Sequence, residues 1–120
     1  MSKTILVIDD EADVRTYLTR LLQKQGYETI AAEDGQTGIE IARSVKPALV
    51  TLDLMMPRQS GTDFYRKLAA DPELRDTPVI IVSGLAGRHL AVKEPAAVFD
   101  KPIAPQEFVD AVKKALGEEL

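Results

Sequence analysis

Four apolar runs in this chain each end in a group with chemistry. Asp9 and Asp10 follow residues 5–8, Asp53 follows residues 48–52, Ser83 follows residues 79–82, and Asp100 with Lys101 follows residues 97–99. Three carboxylates brought to one point repel. At ~4 Å and an effective dielectric near ~20, each pair costs about 4 kcal/mol before solvent relaxes. A hard divalent cation removes that cost. Magnesium takes oxygen ligands, keeps several waters, and favours one or two carboxylates together with phosphate oxygens. A cluster of Asp without His or Cys suits magnesium rather than zinc. Lys101 adds a mobile positive charge for a phosphate or a carboxylate, and Ser83 adds a hydroxyl that both donates and accepts. A carboxylate can itself accept a phosphoryl group, giving an aspartyl phosphate, while a metal and a lysine neutralise the transferring group. The set points to phosphoryl chemistry.

These groups converge only if the elements before them share one sheet. Ile5, Leu6, Val7 and Ile8 read as a strand buried on both faces. Val14, Leu18, Leu21 and Leu22 then recur with helical spacing, and Gly26 stands at a C-terminal cap position. Residues 27–32 read as a second strand and Asp34-Gly35 as a turn. A helix with Ile39 and Ala42 inward follows, closed by Pro47. The third strand is 48–52, and a loop holding Pro57 leads to a helix over about 61–70 with Phe64 and Leu68 on one face. Residues 79–82 form a fourth strand and 97–99 a short fifth. Phe108, Ala111, Val112 and Ala115 share a face of the last helix. Strands alternating with helices imply parallel βαβ units with right-handed crossovers. The expected fold is α/β, a three-layer, doubly wound, five-stranded parallel sheet. In such sheets ligands bind beyond the carboxyl ends of the strands. The stretch 84–95 shows little helical pattern.

The 120 residues are expected to form a single domain, 1–120. Net charge is −4, and the 15 Lys and Arg form no basic run, which argues against a nucleic-acid surface. With no cysteine, disulfides, thiolate metal sites and thiol nucleophiles are excluded. No apolar run approaches the ~18 residues that span a bilayer, and the start is not a signal peptide. The expectation is a cytoplasmic protein without membrane contact.

Each group also has a plainer reading. Asp9 and Asp10 could cap the following helix, and Glu11 and Asp13 suit its dipole. Asp53 alone could be a turn residue, Ser83 a cap and Lys101 a solvated side chain. Their joint placement at the ends of strands one, three, four and five favours the chemical reading. His89, the only histidine, is expected to be exposed and without a catalytic role.

The whole chain resembles the receiver domain of two-component response regulators. The resemblance is carried by ILVIDDE at 5–11, DLMMP at 53–57 with Gly61 following, VSG at 82–84 and DKPI at 100–103. It implies a flavodoxin-like sheet of strand order 2-1-3-4-5, close to that of stand-alone chemotaxis regulators. It further implies that Asp53 is the phosphoacceptor and that Asp9, Asp10 and Asp53, with the Met55 backbone carbonyl, hold Mg2+. Ser83 matches the switch hydroxyl and Lys101 the phosphoryl-pairing lysine. The Lys101-Pro102 bond is commonly cis in this family. The implied partners are a sensor histidine kinase or histidine phosphotransfer protein and a downstream protein target, with the chain a monomer or weak homodimer.

Two departures stand out. The aromatic residue usual three positions before the lysine is replaced by Val98, and Phe99 next to it should face the other way. Ser83 and Lys101 are also closer in sequence than is usual, by about one helical turn, so the fourth helix should be short or irregular. The leading expectation is a phosphoacceptor switch, not an enzyme. The alternatives are a receiver-like binding module that is never phosphorylated, and an aspartyl-nucleophile phosphatase of the haloacid-dehalogenase type. The latter carries Asp-X-Asp after its first strand, where this chain has Asp-Asp-Glu.

Overall fold

The computed structural model describes residues 3–83 and 95–118. In chain order the elements are β1 (Thr4–Ile8), α1 (Ala12–Lys24), β2 (Glu28–Ala32), α2 (Gly35–Val45) and β3 (Leu49–Leu52). A 3-10 turn (Pro57–Gln59), α3 (Ser60–Ala70), β4 (Val79–Ser83), β5 (Ala97–Asp100) and α4 (Pro105–Ala115) complete them. All strands pair in parallel, in the order β2-β1-β3-β4-β5. The expected short fourth helix falls on residues 84–94, outside those described, as does His89, so α4 here is the last helix of the chain.

Alternation within the buried strands builds two cores. Leu6, Ile8, Val50, Leu52 and Ile81 face α2 and α3, where Ile39, Ala42, Phe64 and Leu68 close the layer. Ile5, Val7, Leu49, Ile80 and Val82 face α1 and α4, where Leu18, Leu22, Phe108 and Val112 do the same. Among the described residues two helices thus cover each face, and the carboxyl ends of the strands face one edge.

The local signals explain most boundaries. Gly26 takes φ +91 just past α1, a left-handed closing conformation that glycine adopts without cost. Asp34 is not a turn residue but the N-cap of α2. Its side chain accepts from the Thr37 N–H at 2.7 Å, and Gly35 is already helical. The second strand starts at Glu28 rather than Tyr27, because the Tyr27 N–H is used to close α1 on the Leu22 carbonyl. At the opposite end of the sheet from the site, Lys3 pairs with Glu118 at 3.0 Å, and the Tyr27 hydroxyl donates to Glu118 at 2.5 Å.

Candidate functional site

Backbone hydrogen bonds carry the sheet one step past each strand and so fix the site. The Asp9 N–H donates to the Ala32 carbonyl and the Asp53 N–H to the Ile8 carbonyl, both at 3.1 Å, and the Lys101 N–H donates to the Ser83 carbonyl at 3.3 Å. Register aligns Ile8 with Leu52 and Ser83 with Asp100. Asp9, Asp53, Ser83 and Lys101 therefore meet at one edge, although their chain positions span most of the sequence.

Asp53 is buried, and both of its oxygens are held. Oδ1 accepts from the Ser83 hydroxyl at 2.9 Å and from the Met55 N–H at 2.9 Å. Oδ2 accepts from Lys101 Nζ at 3.2 Å. Asp9 is buried beside it; its Oδ1 accepts from the Glu11 N–H at 2.9 Å. Asp9 Oδ2 lies 3.0 Å from Lys101 Nζ, within ion-pair range, yet it accepts no aligned hydrogen bond. Asp10 is exposed at the rim. The Lys101-Pro102 bond is cis.

Burial pushes the Asp9 carboxyl above the usual range. The Glu11 N–H and Lys101 oppose this, and the Asp53 charge reinforces it. For Lys101, burial alone would lower the pKa. Glu11, Asp9 and Asp53 outweigh it and raise the ammonium above its ordinary value. The lysine stays charged at any working pH.

Carboxylate oxygens of Asp9, Asp10, Glu11 and Asp53 all lie within 4.8 Å of one another. The donors are oxygen only, and one buried oxygen, Asp9 Oδ2, has no hydrogen bond aimed at it. This arrangement fits a hard divalent cation. Gly61 secures the loop that follows: a Cβ there would stand 2.2 Å from the Asp53 carbonyl oxygen, so the helix can approach the Asp53 backbone only with glycine.

Two contacts escape a sequence reading. Glu11 occupies the N-cap position of α1 but makes no cap bond with its side chain; its carboxylate instead accepts from Lys101 Nζ at 2.9 Å. Arg15 reaches back from α1, and its guanidinium donates to the Asp9 carbonyl at 2.7 Å, fixing the acidic loop. Charge at spacings of two and six from Asp9 was the only available signal. On β5 the alternation is as the sequence predicts. Val98 is 38% exposed, while Phe99 packs edge-to-face on Phe108 with ring centroids 5.8 Å apart.

The profile of the response regulator receiver domain matches residues 5–113. The protein Rrf1 of Nitratidesulfovibrio vulgaris is 33% identical over 117 residues, covering 98% of this chain and 85% of that protein. The polar-differentiation response regulator DivK of Brucella anthropi is 30% identical over 122 residues, covering 98% and 99%. The fold is shared with chemotaxis response regulator CheY4 of Vibrio cholerae, at a TM-score of 0.87 and 20% identity over 96% of this chain and 99% of that one. It is shared too with the receiver domain of a Pseudomonas aeruginosa sensor histidine kinase solved with magnesium in its active-site cleft. There the TM-score is 0.88 and the identity 20%, over 98% and 100% of the two chains. With a matching profile across nearly all of its length, and with the acids, hydroxyl and lysine at one sheet edge, this chain belongs to the response regulator receiver domain family.

Proposed function

We propose that the chain is a signalling switch, not an enzyme, whose phosphoacceptor is Asp53. The donor would be a phosphohistidine of a sensor histidine kinase or a histidine phosphotransfer protein. One observation carries this reading: the buried Asp53 carboxylate is held by the Ser83 hydroxyl, the Met55 N–H and the Lys101 ammonium while Asp9 stands beside it. An Asp53 oxygen forms the new bond to phosphorus as the phosphorus–nitrogen bond breaks. The electron pair stays with the imidazole, which leaves neutral because its other nitrogen carries a proton.

Asp9, Asp10, Asp53 and the Met55 carbonyl would hold magnesium, which offsets the charge gathered between carboxylate and phosphoryl oxygens when bound. Once Asp53 is phosphorylated, Ser83 and Lys101 turn their donors from its oxygens to those of the phosphoryl group. That rearrangement biases an existing equilibrium toward a form that a downstream protein reads. A tenfold change in partner affinity needs only ~1.4 kcal/mol of coupling. Beside Lys101 a groove lined by Val14, Tyr17, Pro102 and Ile103 supplies an apolar seat for the donor.

The test is incubation with magnesium and a small acyl phosphate, followed by intact mass. A hydroxylamine-labile phosphoryl adduct, lost in Asp53→Asn, is the expected result. No adduct and no beryllofluoride binding would instead support a binding module that never uses phosphorylation, a reading favoured by the exposed Val98 in place of an aromatic switch residue. Sustained hydrolysis of a phosphate monoester would make the chain a phosphatase.

A further inference from the structure

Lys101 is shared among three carboxylates, and the shortest contact is with Glu11. Nζ lies 2.9 Å from Glu11 Oε1, 3.0 Å from Asp9 Oδ2 and 3.2 Å from Asp53 Oδ2. Of the three ammonium donors, one bonds Glu11 and one bonds Asp53, while Asp9 Oδ2 is an ion-pair neighbour without an aligned bond. The Glu11 side chain is 60% exposed, against 1% for Asp9 and 2% for Asp53. Its backbone is extended at φ −92, ψ 117, and its carboxylate caps nothing on α1. Helix capping therefore does not account for where this side chain goes.

We propose that Glu11 is a positioning residue for Lys101. It draws the ammonium toward the rim and limits its hold on Asp9 and Asp53, the two buried carboxylates that a divalent cation needs. Without that outer arm the ammonium closes on those two oxygens, and an incoming cation must displace it. Glu11 is also the arm that water resolvates most cheaply, so Lys101 can release it along with Asp53 when it turns to a phosphoryl group. The inference rests on the reading of Asp9 and Asp53 as magnesium ligands beside the acceptor.

Two variants separate position from charge. Glu11→Asp keeps the charge but is one methylene too short to reach Nζ, whereas Glu11→Gln keeps the length and an acceptor oxygen. Magnesium affinity would be read without phosphate from the amide resonances of Asp53 and Met55, alongside the Lys101 ammonium resonance and the thermal midpoint. In Glu11→Asp the magnesium Kd should rise about three- to tenfold, on the order of 1 kcal/mol or slightly more. The Lys101 resonance should move, with the midpoint near that of the parent. In Glu11→Gln the Lys101 resonance should stay near its parent position. An unmoved Lys101 resonance in Glu11→Asp overturns the proposal, and so does a moved resonance with unchanged magnesium affinity. A parent protein that binds no magnesium overturns it together with the magnesium site. One that binds magnesium but forms no adduct removes the phosphoacceptor reading alone.

Discussion

The Ser83 hydroxyl donates to Asp53 Oδ1 at 2.9 Å, joining the ends of two adjacent strands through residues 30 positions apart. Both groups are buried, so this is a charge-assisted bond shielded from water. Ser83→Ala should remove it and leave Asp53 with one donor fewer, lowering stability by about 1.5–3 kcal/mol. Urea unfolding with an unchanged slope is the measurement. A variant as stable as the parent would mean that water replaces the hydroxyl at no cost.

Asp9 yields a pH dependence. Its folded pKa is raised above the unfolded value of 3.8, mainly by burial. A raised carboxyl favours the folded state at low pH, and that benefit is lost as pH rises through the folded pKa. Ionised Asp9 therefore weakens the fold at neutral pH. Asp9→Asn should be more stable than the parent at pH 7 in metal-free buffer. The gain should shrink as pH falls through the raised pKa toward 3.8. Thermal melts at several pH values, with chelator present, would show it. A gain that grows on acidification would contradict the assignment.

Thr51 is buried in β3 with its hydroxyl unpartnered among the described residues. It pairs in register with Val7 and Ile80, in an otherwise apolar layer. Thr51→Val keeps the shape and removes a desolvated hydroxyl. Stability should rise by about 1 kcal/mol, a shift of roughly 3–6 °C in the thermal midpoint. A lower midpoint would show that the hydroxyl has a partner in solution.

Gly61→Ala tests the close approach of α3 to the Asp53 backbone. The nearest atom to an added Cβ is the Asp53 carbonyl oxygen at 2.2 Å, a backbone atom that cannot rotate away. The chain must shift, at about 1–3 kcal/mol. Because the atom belongs to Asp53, adduct formation with a small acyl phosphate should also slow. Unchanged stability and unchanged adduct rate would mean that the loop relaxes freely.

Most of this architecture is legible in the sequence because it follows from period. Continuous β-branched runs mark strands buried on both faces, and a polar group directly after such a run must sit at the sheet edge. Asp9, Asp53, Ser83 and Lys101 are found that way. What period does not reveal is the reach of a side chain. Glu11 reads as a helix-dipole residue because it precedes α1, but the ammonium 90 positions away offers it more than the free N–H groups of the helix. Arg15 lies inside α1, and only its charge six positions from Asp9 hints at its reach back to the Asp9 carbonyl. Asp34-Gly35 reads as a turn because that dipeptide serves turns and helix starts alike; only the Thr37 N–H arriving at Asp34 decides it.

The clasp of Lys3, Tyr27 and Glu118 brings the two outermost described segments side by side, at the end of the sheet farthest from Asp53. A short linker could therefore join Lys3 to Glu118 directly, and the ring could be reopened in the turn after α3, giving a circular permutant with its acidic edge intact. The same distance from the acidic edge makes the clasp a suitable attachment point for a reporter that must report on Asp53 without shielding it.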